Sequence, residues 1–184
     1  ALLSSLLLFS LPLVPHLIAR WLLNYASRMI LLNMTTLEEV ALFGLGSQLG
    51  GVLLVVVASA GKAMSPWFYR TAGEPNSDTA LTKVATYFFL GMASITLLIC
   101  MFSREIIAIL SQPEYAAANR VVPIIALGAF LVGAYYYPIM ALMHLKRTGA
   151  VPVVTVVSAA VTIAASLLLV PRWGMVGAAV ATLV

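Results

Sequence analysis

The sequence predicts an all-α integral membrane protein, a bundle of about six transmembrane helices. Three observations predict it. Hydrophobic residues make up 62% of the 184 residues and charged residues only 9%, where a soluble domain carries about 25% charged residues. Mean hydropathy is +1.07. Charge-free runs long enough to cross a bilayer recur along the chain, separated by short polar connectors. A chain this apolar has too little polar surface to cover itself in water, so lipid must solvate most of its exterior.

A spanning helix needs roughly 20 residues, because about 30 Å of hydrocarbon is covered at 1.5 Å per residue. Residues 40–61, 84–103, 121–145 and 148–171 are charge-free runs of that size. Residues 1–19 are also charge-free but contain Pro12 and Pro15, and Arg20 and Arg28 sit in the apolar stretch that continues to Leu32. This reads as one long helix over 6–33, bent near the prolines. The alternative is a short helix before Pro12 and a separate span after it. The remaining spans are expected at 37–65, 79–103, 115–144, 149–170 and 174–184, with an amphipathic interfacial helix near 104–111 closed by Pro113. All belong to one bundle over 1–184. The chain starts at Ala1 and stops at Val184 inside an apolar run, so both ends are expected to be truncations.

The connectors carry the start and stop signals. Residues 34–39 form an acidic turn in which Thr36 caps the next helix, with Glu38 and Glu39 in its first turn. Residues 66–83 form the longest polar stretch, with Ser77 or Asp78 as N-cap of the third span. Residues 146–149 and 171–174 are tight turns. The second and fourth connectors hold Arg70, Lys83, Lys146 and Arg147, which the positive-inside rule places in the cytoplasm.

The net charge of +4 does not imply nucleic acid, because the ten basic residues are scattered singly between apolar runs and form no basic stripe. The single cysteine, Cys100, allows no internal disulfide and reads as a small buried hydrophobe. His16 and His144 lack partners at ligand spacing, so no metal site or cofactor is expected. No Ser/His/Asp or Cys/His set is visible, and no enzyme is expected.

The candidate functional residues are polar groups within the spans. Arg20, Asn24 and Arg28 follow one another at four-residue spacing and share a helix face, with Ile18 and Trp21 off it. An Arg near the bilayer centre costs about 2.5–3.5 kcal/mol on the insertion scale, so such a side chain is expected to face a bundle interior or an aqueous cavity. Helix-end anchoring with a structural ion pair is the competing role. The second span carries Gly44, Gln48, Gly51, Val55, Ser59 and Lys62 at helical spacing. Gln48 is an amide near mid-helix that hydrocarbon would leave unsatisfied. Gly46-x-x-x-Gly50 and Ser47-x-x-x-Gly51 allow close helix approach. Thr155, Ser158, Thr162 and Ser166 share a face of the fifth span, as inert packing or as cavity lining. Of Tyr135, Tyr136 and Tyr137, at least two are expected to pack. No Asp or Glu lies within the charge-free runs.

Several stretches together resemble a known family. Phe9-Ser-Leu-Pro-Leu-Val-Pro-His16 with Trp21-Leu-Leu-Asn24 and Arg28, Val40-Ala-Leu-Phe-Gly-Leu-Gly46, and Lys62-Ala-Met-Ser-Pro66-Trp-Phe-Tyr-Arg70 are three of them. Pro113-Glu-Tyr115 with Val121-Val-Pro123-Ile-Ile-Ala-Leu-Gly128 is another. Leu169-Val-Pro171-Arg-Trp-Gly174-Met-Val-Gly177-Ala-Ala-Val-Ala-Thr182 is the most specific. In order and spacing they are similar to the second half of bacterial oligosaccharide flippases, the polysaccharide exporters of the multidrug/oligosaccharidyl-lipid/polysaccharide superfamily. The chain departs from that pattern at Ser27, where the family often has an acid, at Thr162 and Ser166, where it often has Asn, and at Arg20.

The resemblance implies the truncated C-terminal half of a MATE-like transporter of about 12–14 helices, built as two pseudo-symmetric bundles. It implies a flippase of the bacterial inner membrane moving a polyprenyl-diphosphate-linked oligosaccharide for O-antigen or other lipopolysaccharide and cell-surface polysaccharide synthesis. The implied partners are that substrate, membrane lipids and the polysaccharide polymerase machinery. The alternative is a multidrug/cation antiporter of the same fold, which would want acidic or aromatic cavity residues. The expected cavity lining is Arg20, Asn24, Arg28, Gln48 and Lys62.

Overall fold

A computed structural model describes residues 14–72, 74, 77–144 and 150–183. Every regular element among them is a helix: α1 (Val14–Met34), α2 (Leu37–Thr71), α3 (Asp78–Leu110), a 3-10 helix (Pro113–Arg120), α4 (Val122–His144) and α5 (Ala150–Leu183). Among the described residues four helices, against the six spans expected, are long and apolar enough to cross a membrane: Leu37–Thr71, Asp78–Leu110, Val122–Leu142 and Val153–Leu183. The difference has two sources. His16, Arg20, Asn24, Arg28 and Asn33 lower the hydropathy of α1. The last two expected spans lie in one helical run, α5.

Three boundaries differ from the sequence expectation for physical reasons. The segment 104–111, expected as a separate interfacial helix, continues α3 to Leu110. A change from apolar to amphipathic composition is no helix break, and no Gly or Pro stands there. Pro66 does not end the second helix, which runs on to Thr71 with Pro66 exposed. A proline removes one backbone bond and crowds the carbonyl four residues back, but the turns on either side remain helical. At α3 Ser77 occupies the N-cap position, yet its side chain makes no capping bond.

The turn before α2 is as expected. Thr36 Oγ1 accepts the Glu39 N–H at 3.4 Å, and Thr35 closes α1 through its own N–H and hydroxyl on the Leu31 carbonyl. The expected turn at 171–174 is a break inside α5, where Gly174 has φ 53° and ψ −130°. An L side chain rarely adopts that conformation. The basic turn at 146–149 and the expected helix before Val14 lie outside the described residues.

The helices group into two compact units. The first comprises α1, the start of α2 to Val40, and α5 to Thr182. Its interior is Ala26, Ser27 and Leu31 of α1 and Ala159, Thr162, Ser166 and Val170 of α5. Beyond the Gly174 break, Met175, Ala178, Ala179 and Ala181 are buried. The Ser27 and Ser166 hydroxyls meet at 2.9 Å in this interior. The hydroxyl pair keeps both groups hydrogen-bonded away from lipid, as buried polar groups require.

The second unit holds the rest of α2, with α3, the 3-10 helix and α4 to its end. Leu53 and Val57 of α2, Met92 of α3 and Ala129 of α4 form its core, with Phe88, Ile95, Ile99, Phe130 and Tyr136 against it. The glycines let α2 approach its neighbour. A Cβ on Gly50 would stand 2.8 Å from Ile125 Cβ and 2.9 Å from the Val122 carbonyl oxygen; one on Gly46 would stand 2.9 Å from the Ala118 carbonyl oxygen. The Gly46-x-x-x-Gly50 pair is therefore the close-approach motif, whereas Gly51 has no neighbour within 4 Å of its Cβ position. Tyr137 donates to the Leu81 carbonyl at 2.8 Å and sets its ring edge-on to Phe68 at 5.4 Å. Tyr136 joins the core and Tyr135 is exposed.

Candidate functional site

The packed and unpacked faces of α2 define the candidate site in the second unit. Gly46, Gly50, Leu53, Val57, Gly61 and Phe68 are buried, a succession of three-, four- and seven-residue steps that marks one helix face. Gln48 and Lys62 lie about half a turn round from it. Both are exposed, as are Val55 and Ser59 on the same stripe, while Gly44 and Gly51 are half-buried. Neither Gln48 nor Lys62 makes a hydrogen bond or ion pair with a described residue. The polar and small stripe anticipated from periodicity is thus the face of α2 that its own unit leaves uncovered.

The exposed face of α3 differs in kind. Tyr87, Leu90, Leu97, Leu98 and Met101 stand outward on it, a surface suited to acyl chains. Its hydroxyls are turned back on the helix: Thr86 donates to Thr82, Ser94 to Leu90 and Thr96 to Met92 carbonyls, each at 2.8 Å. No comparable internal bond is open to the amide of Gln48 or the ammonium of Lys62, whose polarity is displayed at the α2 surface.

In the first unit, Arg28 is exposed on α1. It lines a shallow depression of about 330 Å³ with Trp21, Tyr25, Met29, Leu32 and Val40. The Trp21 and Tyr25 rings lie 5.5 Å apart and tilted at 39°. Four-residue spacing groups Arg28 with Arg20 and Asn24 and sets Trp21 off their face. The depression sets it beside Trp21 and Tyr25, and the signal in the sequence is the seven- and three-residue spacing back from Arg28. The side chains of Arg20 and Asn24 lie outside the described residues.

The hydroxyl stripe of α5 divides. Thr162 and Ser166 are buried, Ser166 against Ser27, and Thr155 and Ser158 are half-buried. Packing accounts for the two deeper hydroxyls. Sequence reasoning missed the Ser27–Ser166 pair and also a contact of Glu39, whose carboxylate accepts the Met175 N–H at 3.0 Å.

Helix lengths, apolar outer faces and this sparse set of displayed polar groups define a multi-pass helical membrane protein. No family model, curated protein or solved structure matches the chain.

Proposed function

We propose that the chain is part of a flippase that carries a polyprenyl-diphosphate-linked oligosaccharide across the bacterial cytoplasmic membrane for cell-surface polysaccharide synthesis. The observation that carries the reading is the uncovered α2 stripe, with Gln48 and Lys62 displayed on a 35-residue helix without partners among the described residues. Polar groups along a helix of spanning length are costly against lipid and economical beside a water-filled path. The sign of the charge selects the cargo. Lys62 is a cation with no acidic partner among the described residues, and the acids of its own helix, Glu38 and Glu39, lie in the first turn. A diphosphate complements a cation, and a sugar chain complements an amide and hydroxyls. The polyprenyl tail can stay in the bilayer, so the path need admit only the head group. The family resemblance in the sequence points the same way. A cation antiporter of the same fold would want the opposite charge on this face.

The test is complementation in cells lacking the gene. Wild-type protein should restore surface polysaccharide. Gln48→Leu and Lys62→Gln, present in the membrane at wild-type levels, should leave lipid-linked oligosaccharide on the cytoplasmic side. Normal export by both variants would contradict the reading. Altered resistance to cationic drugs with normal polysaccharide would replace it with the antiporter.

A further inference from the structure

The depression around Arg28 shares no residue with the α2 stripe and carries its own inference. We infer that it is a binding site for an anionic membrane phospholipid, with Arg28 on the phosphodiester and an acyl chain along Trp21, Tyr25 and Met29. The inference rests on the membrane setting and not on the transport reading.

Four observations converge on this occupant. The walls are apolar apart from Arg28: Met29, Leu32 and Val40 supply aliphatic surface, and Trp21 and Tyr25 supply rings. Trp and Tyr are the side chains that accommodate both the apolar and the wet side of a lipid interface. Arg28 stands six positions before the end of α1 at Met34, about 9 Å along the axis, so a head-group layer at that helix end would be within reach of its long flexible side chain. Its charge is uncompensated among the described residues. α1 contains no Asp or Glu, Ser27 is turned inward to Ser166, Glu39 is bonded to the Met175 N–H, and neither Glu38 nor Glu39 forms an ion pair with Arg28. A cation on an otherwise apolar, aromatic-lined surface complements a ligand that is apolar over most of its length and anionic at one end. The guanidinium fork suits a phosphate's paired oxygens. A zwitterionic lipid would bring a compensating choline charge and gain less.

Trp21 makes the site observable. In a Trp67→Phe/Trp173→Phe background it is the sole remaining tryptophan of the three, and brominated acyl chains quench it on contact. Brominated phosphatidylglycerol should out-compete brominated phosphatidylcholine at Trp21 by about fivefold, the scale of one Arg at an anionic surface. Arg28→Gln should bring the ratio to near unity, Arg28→Lys should retain part of it, and Arg104→Gln, which removes an exposed charge elsewhere, should leave it unchanged. Equal quenching by the two lipids, or a preference that survives Arg28→Gln, would overturn the inference. Relief of quenching by millimolar inorganic pyrophosphate would assign Arg28 to a water-soluble anion and overturn it as well. Lipid extracted from the purified protein with all three tryptophans gives a reading independent of that background. It should be enriched in phosphatidylglycerol relative to the host membrane, and an unenriched composition would count against the site.

Discussion

The carboxylate of Glu39 accepts a hydrogen bond from the backbone N–H of Met175 at 3.0 Å, across 136 residues of sequence. Met175 opens the helical segment that follows the Gly174 break, so its N–H is one of the donors a helix start leaves unpaired. The acid therefore serves two helix starts. It sits in the first turn of α2 and caps the second part of α5. Removing it by Glu39→Ala should lower stability by about 1 kcal/mol, the usual scale of a missing cap. Glu39→Gln keeps an acceptor and should cost less. Gly174→Ala should cost more than either, about 1–3 kcal/mol, because its φ of 53° disfavours a side chain and its Cβ would collide with the Glu39 carboxylate. Thermal unfolding in detergent gives the order; a harmless Gly174→Ala would refute the break.

The Ser27–Ser166 hydroxyl pair should behave as a coupled unit. Ser27→Ala or Ser166→Ala strands the other hydroxyl in the interior of the first unit, at a cost of about 1–3 kcal/mol. The double substitution removes both and should cost less than the sum of the singles. Strict additivity in a double-mutant cycle would show that the two hydroxyls are not partners.

Close approach at Gly50 should be intolerant of size. Gly50→Ala places a methyl group 2.8 Å from Ile125 Cβ and 2.9 Å from a backbone oxygen, and overpacking of this kind costs about 1–3 kcal/mol. Gly51→Ala, one residue away with nothing within 4 Å, should leave the melting temperature unchanged. Equal effects at the two positions would contradict the packing of α2 in its unit.

Much of the fold is legible in the sequence. The α2 stripe follows from three- and four-residue spacing, and small-x-x-x-small spacing identifies Gly46 and Gly50, though it equally nominates Ser47 and Gly51. Which pair packs depends on the neighbour, and only the positions of Ile125 and Ala118 decide it. Thr36 as a cap is readable because capping is local. The contacts of Glu39 and of Ser27 are not, since each joins residues more than 130 positions apart and neither residue is unusual in its own neighbourhood. The end of α3 is misplaced by composition, which reports what surrounds a helix and not whether its hydrogen bonds continue. Arg28 stands out as a functional candidate, but the ring pair of Trp21 and Tyr25 beside it does not, because its spacing from Arg28 is that of apolar residues.

Water should reach the α2 stripe. With Cys100, the single cysteine, replaced by Ser, Gln48→Cys, Ser59→Cys and Lys62→Cys should react with a water-soluble maleimide in native membranes. Leu97→Cys, on the apolar outer face of α3 and 63% exposed, should react only with a lipid-soluble reagent. Silence at all three α2 positions would place that face against lipid or protein.

The most direct measurement is translocation in proteoliposomes containing the full-length protein and a fluorescent polyprenyl-diphosphate-linked sugar, with a membrane-impermeant quencher reporting the outer leaflet. Wild-type protein should equilibrate the label between leaflets, and Lys62→Arg should retain much of the rate. Lys62→Gln and Gln48→Leu should lower it about tenfold, equivalent to removing one charge-assisted hydrogen bond at the barrier. Equal rates in wild-type vesicles and in vesicles without protein, or full activity in both stripe variants, would contradict a transport role for the α2 face.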